Sequence, residues 1–247
     1  MKIATWNVNG IRARQDQVRE WLERDRPDVV CLQELKAERV QIPEQLQLGD
    51  YYAYWHGRKG YSGVSLHVRK DLAGTEPPFS HPDFDMESRI VQVDLGQLVV
   101  ASVYVPNGGK DYAAKVGFLN QMIAWARRLH SDGRELVLCG DLNIARTDMD
   151  VHPKERKEGV VGQRPEERAL LEDLIGDHLV DVGRTHDPDN ENLFTWWAPW
   201  RDLRARNIGW RLDYVLASPT VAARAASCVV LAAMGTSDHA PVVMTTT

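Results

Sequence analysis

Nine short apolar runs recur along the chain, at 2–8, 28–33, 51–56, 63–69, 89–95, 98–105, 135–140, 211–217 and 239–245, each rich in Val, Ile or aromatic residues. Runs of this length bounded by turn residues read as β-strands. Helical spacing is confined to three stretches: 15–25 (Val18, Trp21, Leu22), 113–130 (Val116, Leu119, Ile123, Trp125, Leu129) and 166–176 (Leu170, Leu171, Leu174, Ile175). Many strands with few helices predict two mainly antiparallel sheets packed face to face with helices outside, a four-layer α/β sandwich.

A length of 247 residues permits one large domain or two small ones. No Gly-, Ser- or Pro-rich linker and no internal repeat divides the chain, so 1–247 is expected to be a single catalytic domain. The longest irregular stretches, 151–165 and 185–210, are candidates for functional loops. With 43% hydrophobic and 26% charged residues the chain is not of the disordered class. No apolar run approaches the ~20 residues of a membrane helix, so no membrane partner is expected. Met1–Asn7 turns polar too early for a secretory signal, which predicts a cytoplasmic protein. Cys31, Cys139 and Cys228 are odd in number, far apart and set in apolar stretches, which predicts buried reduced thiols.

A net charge of -5 argues against a polyanionic partner if taken alone. Basic residues nevertheless cluster as Arg12, Arg14 and Arg19, as Lys154, Arg156 and Lys157, and as Arg201, Arg204, Arg206 and Arg211, and a local positive face can steer DNA onto an acidic protein.

Polar residues gather where the strands stop: Asn7-Val8-Asn9-Gly10, Gln33-Glu34 and Gly140-Asp141-Leu142-Asn143 end three of them, while Asp213 and Asp238-His239 open two others. Singly these are turns, caps or surface charges. Together they form the set that phosphodiester hydrolysis requires: charge neutralisation, a placed water and a stabilised leaving alkoxide. Hard carboxylates such as Glu34 suit Mg²⁺, and with no Cys-His grouping zinc is a poor fit.

Trp6-Asn7-Val8-Asn9-Gly10-Ile11-Arg12, Leu32-Gln33-Glu34, Gly60-Tyr61-Ser62-Gly63-Val64, Tyr104-Val105-Pro106-Asn107, Gly140-Asp141-Leu142-Asn143, Trp210-Arg211-Leu212-Asp213-Tyr214 and Ser237-Asp238-His239 follow one another along the chain. In order and spacing they resemble the exonuclease III/AP endonuclease family, from residue 2 to 244. The resemblance implies a DNA-repair phosphodiesterase, dependent on Mg²⁺ with Mn²⁺ as substitute. Such an enzyme incises the backbone 5′ of abasic sites to leave a 3′-hydroxyl, with secondary 3′→5′ exonuclease and 3′-end cleaning. A predominantly exonuclease or 3′-phosphatase enzyme is the alternative. The implied partner is double-stranded DNA with abasic sites or blocked 3′ ends, met by a monomer.

By the same resemblance Glu34 is the principal metal ligand, with Asn7, Asn9 and Asp238 in support. Asp141 orients or deprotonates the attacking water and Asn143 helps place it; His239 contacts the phosphate and is held by Asp213; Tyr104 and Asn107 face the phosphate. Arg12 and Tyr61 fall among the DNA-contacting positions. A carboxylate behind an imidazole favours its cation, which suits a phosphorane's oxygens. Whether Asp141 is the base or only aligns water stays open.

For substrate choice the resemblance implies that Trp196, Trp210 and Leu212 wall a pocket for a flipped-out abasic sugar, and that Lys110 and Trp200 wedge the kinked duplex. Two positions depart from relatives. Asn9 stands where animal relatives carry Asp, and Lys110 where Arg is common, and a Lys cannot fork or stack as an Arg does. The chain starting at its first catalytic strand suggests a minimal, bacterial-type enzyme. A DNA-binding module with a defunct site is disfavoured because every expected polar residue is present. Phosphoinositide phosphatases and sphingomyelinases would lack the 210–214 segment.

Overall fold

The computed structural model describes residues 1–176 and 178–247. In chain order its elements are β1 (Lys2–Asn7), α1 (Ile11–Asp25), β2 (Val29–Gln33), β3 (Tyr51–Arg58), β4 (Tyr61–Arg69), α2 (Lys70–Ala73), β5 (Phe79–Ser80), β6 (Ile90–Leu95), β7 (Leu98–Tyr104), α3 (Tyr112–Ser131), β8 (Glu135–Asp141), α4 (Pro165–Ile175), β9 (Val180–Asp181), α5 (Val182–His186), β10 (Asp213–Ala217), α6 (Pro219–Ala222), β11 (Ala225–Val230) and β12 (Val242–Thr246).

Among the described residues the strands form two six-stranded sheets, ordered β11-β12-β1-β2-β4-β3 and β5-β6-β7-β8-β10-β9. Each sheet has one parallel pair, β1 with β2 and β7 with β8, and the other pairs are antiparallel. A parallel pair needs a crossover, supplied here by α1 and α3. Both sheets therefore repeat one plan, a helical crossover at the centre with antiparallel strands outside.

Period-two alternation sorts side chains into layers. Ile3, Val29, Cys31 and Leu66 of the first sheet meet Val91, Val100, Val137 and Val215 of the second in a core between the sheets. The alternate residues Ala4, Trp6, Val30 and Leu32 face out to Val18, Trp21 and Leu22 of α1. Across the molecule Ala101, Val103, Leu136 and Leu138 face Phe118, Leu119 and Met122 of α3 and Leu171 and Leu174 of α4. The order is helix, sheet, sheet, helices, the expected four layers. All three cysteines are buried free thiols in the core between the sheets.

The sequence reading missed β11, because Ala225-Ala226-Ser227-Cys228 carries too little apolar bulk to register as a run; it is an edge strand half open to solvent. One basic cluster also needs correction. Arg211 is 2% exposed and ion-paired to Asp150 and Asp181, so it braces the fold and is no part of a positive surface. Arg204 lies over the Trp197 ring and donates to the carbonyls of Ala232, Met234 and Ser237, a structural role as well. Among the described residues no helix is long and apolar enough to cross a membrane.

Candidate active site

The parallel pairs end together. Asn7 stands opposite Gln33 in the first sheet and Tyr104 opposite Asp141 in the second, while Asp213, which opens the antiparallel β10, is also opposite Asp141. One end of the sandwich thereby collects the polar residues of both sheets. Just before Asp141, Gly140 lets β8 lie close against β7: its φ is 146° and a Cβ there would stand 1.9 Å from the Val103 carbonyl oxygen. Asn9, Glu34 and Asn143 have φ of 45°, 51° and 53°, a left-handed backbone unusual for side-chain-bearing residues, which turns each side chain away from its strand's line.

Asn7 joins the two sheets. Its amide nitrogen donates to Glu34 Oε1 at 3.0 Å and to Asp141 Oδ2 at 2.9 Å, and its oxygen accepts from the Asn9 backbone N–H at 3.0 Å. Asn9 donates to Asp238 Oδ1 at 2.7 Å, and Trp196 Nε1 holds the other Asp238 oxygen at 3.1 Å. An Asp in place of Asn9 could not make that donation, so the amide serves the Asp238 carboxylate while presenting a neutral oxygen of its own.

That oxygen and Glu34 Oε2 both point at the Lys36 ammonium, which sits 2.7 Å from Glu34. Two oxygens converging on one cationic group is the arrangement a hard cation needs, and Glu34 with Asn9, backed by Asp238, fits a Mg²⁺-class ion by donor chemistry. Lys36 itself was not singled out in the sequence, although it lies two residues beyond Glu34. Glu34, Asp141 and His239 each place a ligand-type atom within 4.8 Å of the others, so the second sheet's groups adjoin the same spot.

His239 Nδ1 lies 2.8 Å from Asp213 Oδ2, and its Nε2 faces Asp141 Oδ2 at 3.8 Å. Burial pulls the imidazolium down, but Asp213 and Asp141 outweigh it and lift His239 to about 10. Asp141 is pushed up to about 7 by burial, against the pull of the His239 cation, with Asp213 and Glu34 adding repulsion. Burial also opposes Glu34, yet its hydrogen bonds from Asn7 and Lys36 and the His239 charge keep it below the ordinary carboxylate range. The Tyr104 hydroxyl is raised by burial and by Glu34 and Asp141, so it stays a neutral donor. The cluster thus holds a cationic imidazole, a proton-accepting carboxylate and a phenol beside a cation-binding corner.

Asn143 anchors the second loop, donating its backbone N–H to Asp141 Oδ1 at 2.9 Å and its side chain to the Val105 carbonyl at 2.9 Å. Asn107 donates to the Asn143 side-chain oxygen at 3.2 Å. Beyond it a groove of about 400 Å³ runs past Tyr104, Asn107 and Lys110 to Tyr61. Arg89, absent from the sequence reading, lies under both Tyr61 and Tyr104, 5.2 and 4.8 Å from their ring centres.

On the other flank Trp196 meets Trp210 edge to face with centroids 5.7 Å apart, and both are partly exposed. Trp196 also pairs by its backbone with His239, while Leu212 is buried behind them. Trp197 is core, 2% exposed. Trp200 is 60% exposed and borders a separate hollow of about 360 Å³ with Asn9, Arg14 and Asp238. Arg12 is exposed in the first turn of α1. A further cavity of about 910 Å³ lies behind this segment between Phe194, Arg204 and Val229 and does not touch the polar cluster.

Comparison with known proteins agrees with this geometry. The pattern of the Endonuclease/Exonuclease/phosphatase family matches residues 4–239. The exodeoxyribonuclease of Bacillus subtilis is 30-odd per cent identical, 31% over 252 residues, covering 98% of this chain and 98% of that protein. Recombination repair protein 1 of Drosophila melanogaster is 30% identical over 98% of this chain, which spans 36% of that longer protein. Among solved structures, the 3′ phosphatase NExo from Neisseria, bound to a product DNA hairpin, superposes with a TM-score of 0.90 at 30% identity, covering 100% of this chain and 99% of that one. An AP endonuclease from Archaeoglobus fulgidus gives 0.85 at 29% identity, covering 100% and 99%.

Proposed function

The chain belongs to the Endonuclease/Exonuclease/phosphatase family and is a hydrolytic nuclease of the DNA-repair class; from that premise we propose that it incises duplex DNA 5′ of abasic sites to leave a 3′-hydroxyl, with 3′-end trimming as its secondary activity. Residues 1–247 act as one catalytic domain in this reading, monomeric and cytoplasmic.

The observation that carries the proposal is the convergence of Asn7, Glu34, Asp141, Asp213, Asp238 and His239 from both sheets at one end, with a Trp196–Trp210 pair against His239. Glu34 and Asn9, backed by Asp238, would hold Mg²⁺ or Mn²⁺. When bound, the ion supplies charge neutralisation at the phosphoryl oxygens. Asp141 takes the proton of the attacking water, or aligns that water, as its new oxygen–phosphorus bond forms; Asn143 fixes the Asp141 carboxylate. The bond from phosphorus to the upstream 3′-oxygen breaks, and that oxygen takes a proton from solvent water to become the 3′-hydroxyl. The His239 cation, held by Asp213, stabilises the phosphoryl charge, and Tyr104 and Asn107 donate to it.

Trp196, Trp210 and Leu212 form the wall that accepts an extruded sugar lacking its base. Lys110 and Trp200 border the hollows on either side of the polar cluster, where wedges into a kinked duplex would stand. A second reading, an enzyme mainly of 3′-phosphatase or 3′→5′ exonuclease type, draws on the likeness to NExo. Duplexes carrying an internal tetrahydrofuran abasic analogue, a recessed 3′ end or a 3′-phosphate, each incubated with the protein and Mg²⁺, rank the activities. Incision of the first duplex is expected to be fastest, and its absence beside active 3′-phosphate removal would overturn the first reading for the second.

A further inference from the structure

Away from the polar cluster, the outer edges of the two sheets come side by side. β3 is the last strand of one sheet and β5 the last of the other. Tyr54 of β3 stacks on Phe79 of β5 with ring centres 5.8 Å apart. Two residues along the same face, His56 lies flat against His81, which follows β5; their ring centres are 4.6 Å apart and their planes 8° from parallel. Asp85 closes the group. Its Oδ2 is 2.7 Å from His56 Nε2, and its Oδ1 accepts the backbone N–H groups of Arg89 and Ile90 at 2.8 and 3.0 Å. One nitrogen of each imidazole and one carboxylate oxygen lie within 4.8 Å of one another.

We propose that His56, His81 and Asp85 form a second metal site, for a borderline transition dication of the zinc class, separate from the Glu34 corner. Two imidazoles and a carboxylate are a donor set that zinc takes with water in the fourth position, whereas Mg²⁺ prefers oxygen alone. Adjacent ligand atoms of a tetrahedral zinc ion stand about 3.3 Å apart, so the His56–Asp85 contact opens by roughly 0.6 Å, and the exposed His81 ring tilts out of its parallel stack on His56 so that the in-plane lone pairs of both rings converge on the ion. Asp85 is already oriented for this by the two backbone donors on its other oxygen, the outer support that ligating carboxylates commonly have. His56 and Asp85 are partly buried while His81 is exposed, so an ion has a path in.

Bound there, the ion ties the edge of one sheet to the segment leading into β6 of the other. That segment ends at Arg89, the guanidinium packed beneath Tyr61 and Tyr104. The site is therefore a clasp on the wall of the groove and takes no part in the bond-breaking step. Sequence spacing could not show it, because His56 and His81 are separated by 25 positions and meet only through the pairing of sheet edges.

The test uses full-length protein stripped of metal, then saturated with Mg²⁺ and titrated with zinc chloride by calorimetry, alongside His81→Ala, a change at an exposed side chain. The unsubstituted protein is expected to bind zinc, with His81→Ala weaker by at least about ten-fold, the loss that removing even an outer partner of a ligand brings. Zinc should raise the melting temperature of the former more than the latter, and Co²⁺ should give a tetrahedral visible spectrum that His81→Ala loses. Zinc-free His81→Ala should cleave DNA with Mg²⁺ at the parent rate. No zinc binding in the parent, or equal affinity and an equal cobalt spectrum in His81→Ala, would overturn the proposal.

Discussion

At the scale of single residues the candidate site divides between the Glu34–Asn9 corner, whose donors suit a cation, and the Asp213–His239 pair, which favours a positive imidazole. Glu34 Oε2 faces Lys36 in the cation corner, so losing its charge weakens that corner while leaving Oε1 to Asn7. Glu34→Gln is therefore expected to raise the Mg²⁺ concentration for half-maximal cleavage sharply; an unchanged Mg²⁺ titration would remove Glu34 from the ligand set. Asp141→Asn should abolish turnover while abasic-duplex binding, read by gel shift with Mg²⁺ replaced by Ca²⁺, persists, since the defect lies in the water and not in the grip. His239→Ala should cost ~10²–10³ in kcat or more, the loss seen when a transition-state donor is removed. Because Asp213 Oδ2 bonds the same imidazole at 2.8 Å, Asp213→Ala should add little in the His239→Ala background. Additive losses in that double-mutant cycle would mean the two do not act as a unit.

Elements show where sequence reading succeeds and where it stops. Central strands such as β1 and β8 are legible because both faces are buried and the whole strand must be apolar. Edge strands are not: β11 is built from small residues, and β5 and β9 are two residues long. The candidate site residues were legible because they end or open strands that must converge, whereas Lys36 and Arg89 make their contacts through long side chains that reach across elements and leave no periodic trace. Lys115 is another such case. Not singled out in the sequence, it is 0% exposed, ion-paired to the equally buried Glu167, and donates to the carbonyls of Asn107 at 3.2 Å and Asn143 at 2.8 Å. It clamps α3, α4 and two site loops together, and Lys115→Met should cost about 3–5 kcal/mol in urea unfolding because Glu167 is left as a buried charge without its partner. Within β4, His67 is buried against Trp55 and Ser65, and burial holds it neutral down to about 3. The unfolded chain takes up that proton below about 6.5 and the folded one does not, so stability falls with acidification over this window by up to about 1.4 kcal/mol per pH unit from this residue. His67→Gln keeps a polar partner for Ser65 without titrating, and should flatten the pH dependence of unfolding between pH 6 and 4 by one proton, as read from urea midpoints at several pH values.

For the whole molecule the question is how a chain of net charge -5 grips a polyanion. Burial of Arg211 and the internal engagement of Arg204 leave less positive surface than the sequence suggested, so a wide electrostatic face cannot carry the grip alone. Shape has to contribute, and the polar cluster is flanked by two hollows, one edged by Lys110 and the other by Trp200. These side chains differ in what they offer DNA. Lys110 gives a single charge to phosphate, whereas Trp200, an indole 60% exposed with no structural need to be so, gives a flat apolar body that can replace an extruded nucleotide in the stack. Lys110→Ala should then weaken binding to every duplex alike and reduce the salt dependence of affinity by about one counterion. Trp200→Ala should leave that salt slope unchanged and lower internal abasic-site incision more than 3′-end trimming, because a frayed terminus opens without a wedge. Both activities and both salt series need one preparation of each protein, since ionic strength alone shifts phosphate binding. Equal losses of the two activities in Trp200→Ala would show that the indole supports the loop and does not enter the duplex, and a reduced salt slope there would show that it acts by keeping Arg14 or Arg201 near phosphate; in either case discrimination for abasic DNA would rest on Trp196 and Trp210 beside His239 alone.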